Sequence, residues 1–454
     1  MAEFDLVVAG ARLVADDDER QGWLGVRAGR FAAVERGAPP AGLVARQTID
    51  AAGLVALPGL VDCHAHLREP GLEHKEDFAT GTAAAAAGGV TTVLVMPFSR
   101  PPVASAETLA RRRALASGKA RVDFGLQAVA GPANLAALLA LRAAGAVSYE
   151  LLLADAPEGC AVDDDAALLT VLEAVAAVDG LAGAYAESAA LAALARQRLD
   201  AAGRHDPAAH SLSRPAAGEA VGVARAGLLA RQAGARLHLR QLSSREAVAV
   251  LRALKDLGAD VTAEVNPHHL FLTADELERQ GPYARVHPPL RGAADVEALW
   301  AALGDGTLDL IATDHAPHAR AEKEAGWQDI WAAPPGLPGL ETWLPLLLDA
   351  VARGRASLPQ VARWCAAAPA ARFGLGGRKG ALRVGADADF VMVDLAAERR
   401  LSHDGLYTRA AYTPFAGRLV HGAVHATYLR GQAIYRDGRV LRSTAGTFLR
   451  PEAR

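Results

Sequence analysis

Two histidines stand one residue apart in the stretch VDCHAHLREPG, residues 61–71, with an arginine close behind them at position 68. On a strand, residues two apart point to the same side, so His64 and His66 would present both imidazoles to one point. Neutral imidazole is a favoured ligand for zinc and related divalent ions. Alone, the pair is a weak signal, because two histidines on an exposed strand face are commonly inert. It gains weight from IATDHAPH, residues 311–318, where Asp314 ends another apolar run. A carboxylate beside the two imidazoles would act as a third ligand. It would also take a proton from metal-bound water, whose pKa such an ion lowers to about 7.

To bring residues 64 and 314 together, the chain needs a closed arrangement of elements. Apolar runs bounded by turn residues predict strands at GLVDCHAHL, TTVLVMP, VDFGLQAVA, AVSYELLL, LAGAYAES, RLHLRQLS, VTAEVNPHH and LDLIATDH, separated by Ala/Leu/Arg-rich helical stretches. Eight strands alternating with helices predict an α/β fold, a (β/α)8 TIM-type barrel with catalytic residues at the carboxyl ends of its strands. Titratable and polar residues fall at those ends: His64 and His66, Glu150, Tyr185 and Glu187, Gln241, His268 and His269, and Asp314 with His315. LVVAGARLV and WLGVRAGRFAAV near one terminus, and ADFVMVDL and VHATYLRGQAIY near the other, read as half-buried antiparallel strands. They predict a small β-sandwich built from both termini, with boundaries at 1–56, 57–381 and 382–454. AAAAAGGVTT lacks the spacing of a phosphate-binding glycine loop.

Composition narrows the partners. With 454 residues, 51% hydrophobic and 22% charged, the chain can bury a large core. A net charge of −3 gives no pull toward nucleic acid or anionic membrane, and the Arg111–Arg113 run reads as a solvated helix face. No segment reads as a signal peptide or a membrane span, so a cytoplasmic protein with a small-molecule partner is expected. Three cysteines without paired spacing, Cys63, Cys160 and Cys365, leave any metal to histidines and carboxylates.

Several stretches resemble the dihydroorotase branch of the cyclic amidohydrolases, in the amidohydrolase superfamily: PGLVDCHAHLREPGLEHKEDFATGTAAAAAGGVTTVLVMP, TAEVNPHHLFLT, PPLRG, ATDHAPH and GLPGLETWLPLLL. With KGALRVGADADFVMVDL and TPFAGRLVHGAVHATYLRG, the likeness covers nearly the whole chain. It implies a metal-dependent hydrolase of cyclic amides or imides. It also implies that Arg68 and His318 lie where a substrate carboxylate is held; hydantoinases and allantoinases usually lack that arginine. Family members typically hold two metals through a carbamylated lysine and two further histidines. Here those positions read Glu150, Tyr185 and Gln241, and two substrate-contacting asparagines read Phe98 and His287.

Glu150 keeps the charge of a carbamylated lysine but not its reach, and Tyr185 and Gln241 are poor zinc ligands. The expectation is therefore one zinc ion per chain, held by His64, His66 and Asp314 with Glu150 as a further ligand, and an open position for water. Asp314 is the expected general base. A contrasting expectation is a noncatalytic scaffold partnering an enzyme such as aspartate transcarbamoylase; the joint retention of His64, His66, Asp314, Arg68 and His318 weighs against it. A homo-oligomer is expected. Tyr185, Glu187 and Gln241 are expected to fill the second ion's space with a polar network. Cys63 is expected in the core, pointing away from the histidine pair, and His268 and His269 as supports. His74, Lys75 and Glu76 are expected on a surface turn or helix start. Residues 319–338 are expected to form a loop over the barrel mouth, with an indole covering the substrate or meeting another subunit.

Overall fold

The computed structural model describes residues 3–155, 160–162, 164–441 and 445–452. Five strands come from the N-terminal end: β1 (Phe4–Val14), β2 (Glu19–Arg27), β3 (Arg30–Arg36), β4 (Ala45–Asp50) and β5 (Val55–Pro58). The next nine are β6 (Leu60–Ala65), β7 (Val90–Val95), β8 (Asp123–Leu126), β9 (Ala128–Val129), β10 (Tyr149–Leu152), β11 (Leu181–Tyr185), β12 (Arg236–Leu239), β13 (Val261–Val265) and β14 (Leu310–Ile311). Four follow at the other end: β15 (Phe390–Arg400), β16 (Leu419–Leu429), β17 (Gln432–Arg436) and β18 (Arg439–Val440).

The terminal strands form one nine-stranded sheet in the order β18-β17-β16-β15-β5-β1-β2-β3, with β4 on β1. The two ends of the chain meet where β15 runs antiparallel to β5. This β-unit has its own core, in which Leu6, Val8, Leu24 and Phe31 pack with Phe390, Met392 and Tyr428. WLGVRAGRFAAV, read above as one strand, is a hairpin: Ala28 and Gly29 both take positive φ, 51° and 76°, and turn β2 into β3. Arg430 and Gly431 do the same between β16 and β17.

Strands β6 to β14 form the parallel barrel in two ladders, β6-β7-β8 and β9 through β14. β8 and β9 are the halves of one strand interrupted at Gln127, so the barrel has the eight staves that the apolar runs predict. It closes where Ala65 bridges His315 in parallel and the His66 N–H donates to the His315 carbonyl at 2.7 Å. Thr313 reinforces the closure, its N–H and hydroxyl donating to the Asp62 carboxylate at 3.0 and 2.5 Å. Helices cover the outside. Residues 245–256 bury Ala247, Val248, Leu251 and Leu254 on one face behind a Ser244 cap.

Two surface assignments are corrected by the fold. Arg112 is buried and donates to the Glu69 and Met96 carbonyls at 2.9 and 2.6 Å, so the arginine run is not one solvated face. Glu76 is also buried; its carboxylate meets His315 at 3.3 Å and accepts from Thr408 and Thr80. In both cases partners distant in sequence satisfy the charge.

Candidate active site

The barrel strands deliver their terminal side chains to one cavity of about 260 Å³. The residues expected to bind metal or substrate all line it, His64, His66, Arg68, Phe98, Glu150, His287, Asp314 and His318, and so do Tyr185 and Gln241, whereas Glu187, His268, His269 and His315 do not. Four residues of its wall, Arg68, Asp155, Gln241 and Asp314, have φ between 43° and 55°, the left-handed region that residues with a Cβ seldom adopt. Each follows a barrel strand, where a sharp backbone reversal aims its side chain across the mouth; such strain collects at functional sites.

His64, His66 and Asp314 place ligand atoms within 4.8 Å of one another. His64 Nε2 and His66 Nε2 lie 3.2 and 3.4 Å from the same oxygen, Asp314 Oδ1. On its other side, His64 Nδ1 meets the carboxylate of Glu264, which fixes Nε2 toward the cavity, as a carboxylate behind a ligating histidine does. Burial pushes the Asp314 carboxyl up to about 6, helped by Glu264 and opposed by His64 and Arg68. Burial, Arg68 and His64 hold His66 well below the ordinary imidazole range, so its neutral, ligating form prevails. His66 Nδ1 is buried without a partner among the described residues. At His64 burial is outweighed by Glu264 and Asp314, which raise the imidazole above its ordinary range, so a metal ion would displace a proton there. With that proton displaced, two imidazoles and a carboxylate fit a zinc-type ion.

Glu150 does not join this group. Arg240 Nε and Nη2 donate to its two oxygens at 3.0 and 2.7 Å, and Ser148 adds a bond of 2.7 Å. It pairs with Arg240 and not with a metal ion, because a buried carboxylate needs a counter-charge and the guanidinium supplies it. A residue without a Cβ must stand beside it: a Cβ on Gly183 would lie 2.3 Å from either Glu150 oxygen. Tyr185 bonds Glu187, Arg214 bridges Glu187 to Asp155, and His287 Nδ1 lies 3.0 Å from Asp155. Gln241 Nε2 donates to the His287 carbonyl at 2.5 Å. Glu150, Tyr185 and Gln241 thus face three different partners and do not fit a second ion.

Opposite the histidines, Arg68 Nε donates to the Pro317 carbonyl at 3.3 Å. Its Nη2 lies 3.2 Å from His318 Nε2. Lysine ammonium only donates, so Lys75 Nζ at 3.0 Å assigns His318 Nδ1 as acceptor and puts the proton on Nε2, which faces the Pro335 carbonyl at 2.9 Å. Arg68 Nη2 therefore faces another donor. Neither terminal nitrogen of Arg68 has an acceptor among the described residues, and burial brings its pKa down to about 10.

Phe98 stacks on His66 with ring centroids 6.2 Å apart, and Met96, Leu152, Ala154 and Val286 add apolar surface to the wall between its polar members. The loop after Ala319 contributes Pro335 and Gly336 to the cavity, while its indoles lie elsewhere: Trp331 packs against Arg196 and His210, and Trp327 is half exposed. His268 and His269 are buried beside the site, and His269 Nε2 meets the Pro288 carbonyl at 3.0 Å. Cys63 is core, as expected, but its Sγ turns inward to Glu264 at 3.5 Å. Glu264, Arg240, Arg214 and Asp155 were not singled out from the sequence. Glu264 and Arg240 carried one signal, a charge within or just after an apolar strand, which needs a buried partner.

A three-ligand group at the carboxyl end of a closed parallel barrel defines a barrel enzyme of metal-assisted type. Residues 55–434 match the Amidohydrolase family, and the chain belongs to it. It is 38% identical over 457 residues to an allantoinase of Deinococcus radiodurans, covering 99% of each chain. It is 40% identical over 401 residues to a dihydroorotase of Halobacterium salinarum, covering 87% of this chain and 89% of that one. Its structure superposes on an L-hydantoinase (dihydropyrimidinase) from Arthrobacter aurescens with a TM-score of 0.95 at 34% identity, covering 98% and 99% of the two chains. The likeness thus extends past the dihydroorotase branch to hydantoinases and allantoinases. No helix among the described residues is long and apolar enough to cross a membrane.

Proposed function

We propose that the chain hydrolyses, or closes, a cyclic amide or imide that carries a carboxylate, at a single divalent ion, zinc in the first place. The observation that carries this reading is a pairing: a three-ligand group with no lysine or arginine in it lies across the cavity from a guanidinium whose two terminal nitrogens have no acceptor among the described residues. The relatives named allantoinase, dihydroorotase and L-hydantoinase support the cyclic amide part.

His64, His66 and Asp314 would hold the ion. When bound, it supplies Lewis acidity and an acidified water. Asp314 accepts the proton as water attacks the ring carbonyl, and hands it to the departing ring nitrogen. Arg68 forms the bidentate pair that a carboxylate suits, which fixes the ring's orientation. Phe98, Met96 and Leu152 exclude water from the ring's apolar face.

The test is metal content and turnover together. Protein reconstituted with zinc and desalted should hold close to one ion per chain and turn over acidic five- or six-membered cyclic amides faster than their uncharged analogues. No ion, or no turnover of any such ring, overturns the hydrolytic reading in favour of a scaffold. Two ions overturn the single-ion part.

A further inference from the structure

Behind the ligand histidines lies a second charged layer. Arg240, just past β12, is 2% exposed, and all five N–H donors of its guanidinium are used. Nε and Nη2 hold Glu150 at 3.0 and 2.7 Å, and Nη2 also meets Gln127 Oε1 at 2.5 Å. Nη1 donates to the Cys63 carbonyl and to Glu264 Oε2, both at 3.1 Å. The same Glu264 oxygen accepts from His238 Nε2 at 3.0 Å and lies 3.5 Å from Cys63 Sγ. Cys63, His238 and Glu264 bring a thiol, an imidazole and a carboxylate within 4.8 Å of one another, a donor set that suits zinc, with Glu150 on the far side of the guanidinium.

Two buried carboxylates must be balanced by a cation, either an exchangeable ion or one fixed to the chain. We propose that Arg240 is a tethered cation that takes the place of a second divalent ion between Glu150 and Glu264, and so limits the centre to one exchangeable ion. The inference rests on the single-ion reading above. A guanidinium suits the task because its planar fork engages both carboxylates at once and no chelator removes it. It leaves Glu264 Oε1 for His64 Nδ1, so Arg240 is a positioning residue for the ligand histidine.

The test compares zinc per chain in wild type, Arg240→Lys, Arg240→Gln and the double variant Arg240→Gln/Glu150→Gln, each reconstituted with excess zinc and desalted. Wild type and Arg240→Lys should hold one ion, Arg240→Gln two, and the double variant one again. Arg240→Gln that folds and gains no ion over wild type overturns the proposal. If Arg240→Gln aggregates, its folded yield should rise at least several-fold when expressed with excess zinc, while the wild-type yield does not change; a zinc-independent yield overturns the proposal equally. The inference is read from the difference between variant and wild type. Wild type that binds no ion therefore defeats the hydrolytic reading alone, and wild type with two ions and Arg240 intact defeats the tethered cation.

Discussion

The junction of sheet and barrel and the mouth of the barrel both gather ligand-capable atoms, yet only the junction holds a lysine or arginine among them. At the junction Asp123, Asp387 and Asp389 surround Lys379 Nζ at 2.6, 2.9 and 2.6 Å, and Arg430 adds a contact of 2.5 Å to Asp123. At the mouth His64, His66 and Asp314 converge with no lysine or arginine among them. Every member of the mouth group lines the cavity, and no aspartate of the junction does. Closeness of ligand atoms therefore does not make a site by itself. Buried charge is always balanced, and a site is where the balance is left to something that arrives.

Two substitutions should separate the regions most sharply. Asp314→Asn keeps size and some ligating power but removes the base, so turnover of an acidic cyclic amide should fall about 10²–10⁴-fold with little change in melting temperature. A metal-replete variant that retains more than about a tenth of the wild-type rate would remove Asp314 from the role of base. Lys379→Met should do the reverse. Three buried aspartates lose their main partner, which costs about 3–5 kcal/mol in urea unfolding, while kcat per folded molecule stays within about twofold. A loss of kcat matching Asp314→Asn would show that the junction is coupled to the chemistry.

A smaller effect is expected at Arg68. A charge-assisted bond contributes about 1.5–3 kcal/mol, so Arg68→Met should raise KM for a carboxylate-bearing ring about 10- to 100-fold and leave KM for its uncharged analogue nearly unchanged. Equal effects on the two rings would make Arg68 a structural residue of the left-handed turn at φ 55°.

The barrel strands and the mouth group were legible because each rests on a short-range signal: an apolar run ending in a titratable residue. β4 was missed because its side chains are mostly exposed and form no apolar run. The two hairpins were read as single strands because their Ala-Gly and Arg-Gly turns are one dipeptide long. The counter-charges were the least legible. Arg240 lies 90 residues from Glu150, and Glu264 lies 200 from His64. Sequence spacing carries no trace of such contacts, so Glu150 read as a ligand when its partner was a guanidinium. For the same reason Glu76 and Arg112 read as surface residues.

The smallest expected effect is the acid response of the junction. Burial opposes ionisation of Asp123 and Asp387, but Lys379, with Arg430 at the first and Arg378 at the second, outweighs it and holds both carboxyls below their ordinary range. A carboxylate whose folded pKa is depressed adds stability that is present above its unfolded value, near 4, and is lost as pH falls through the folded one. Asp389, which burial pushes up despite Lys379, works in the opposite sense and reduces the net slope. Lys379, raised by Asp389 and Asp123 against burial, adds stability that is complete below about pH 10 and so does not change across the acid range. Unfolding free energy should therefore fall below pH 4, with each depressed carboxylate contributing at most about 1.4 kcal/mol per pH unit. Asp387→Asn removes one of the two, so its stability should decline less steeply with acid than that of wild type. Parallel declines in urea titrations between pH 5 and 3 would mean that Asp387 ionises alike in the folded and unfolded chain, and that Lys379 is balanced by Asp123 and Asp389 alone.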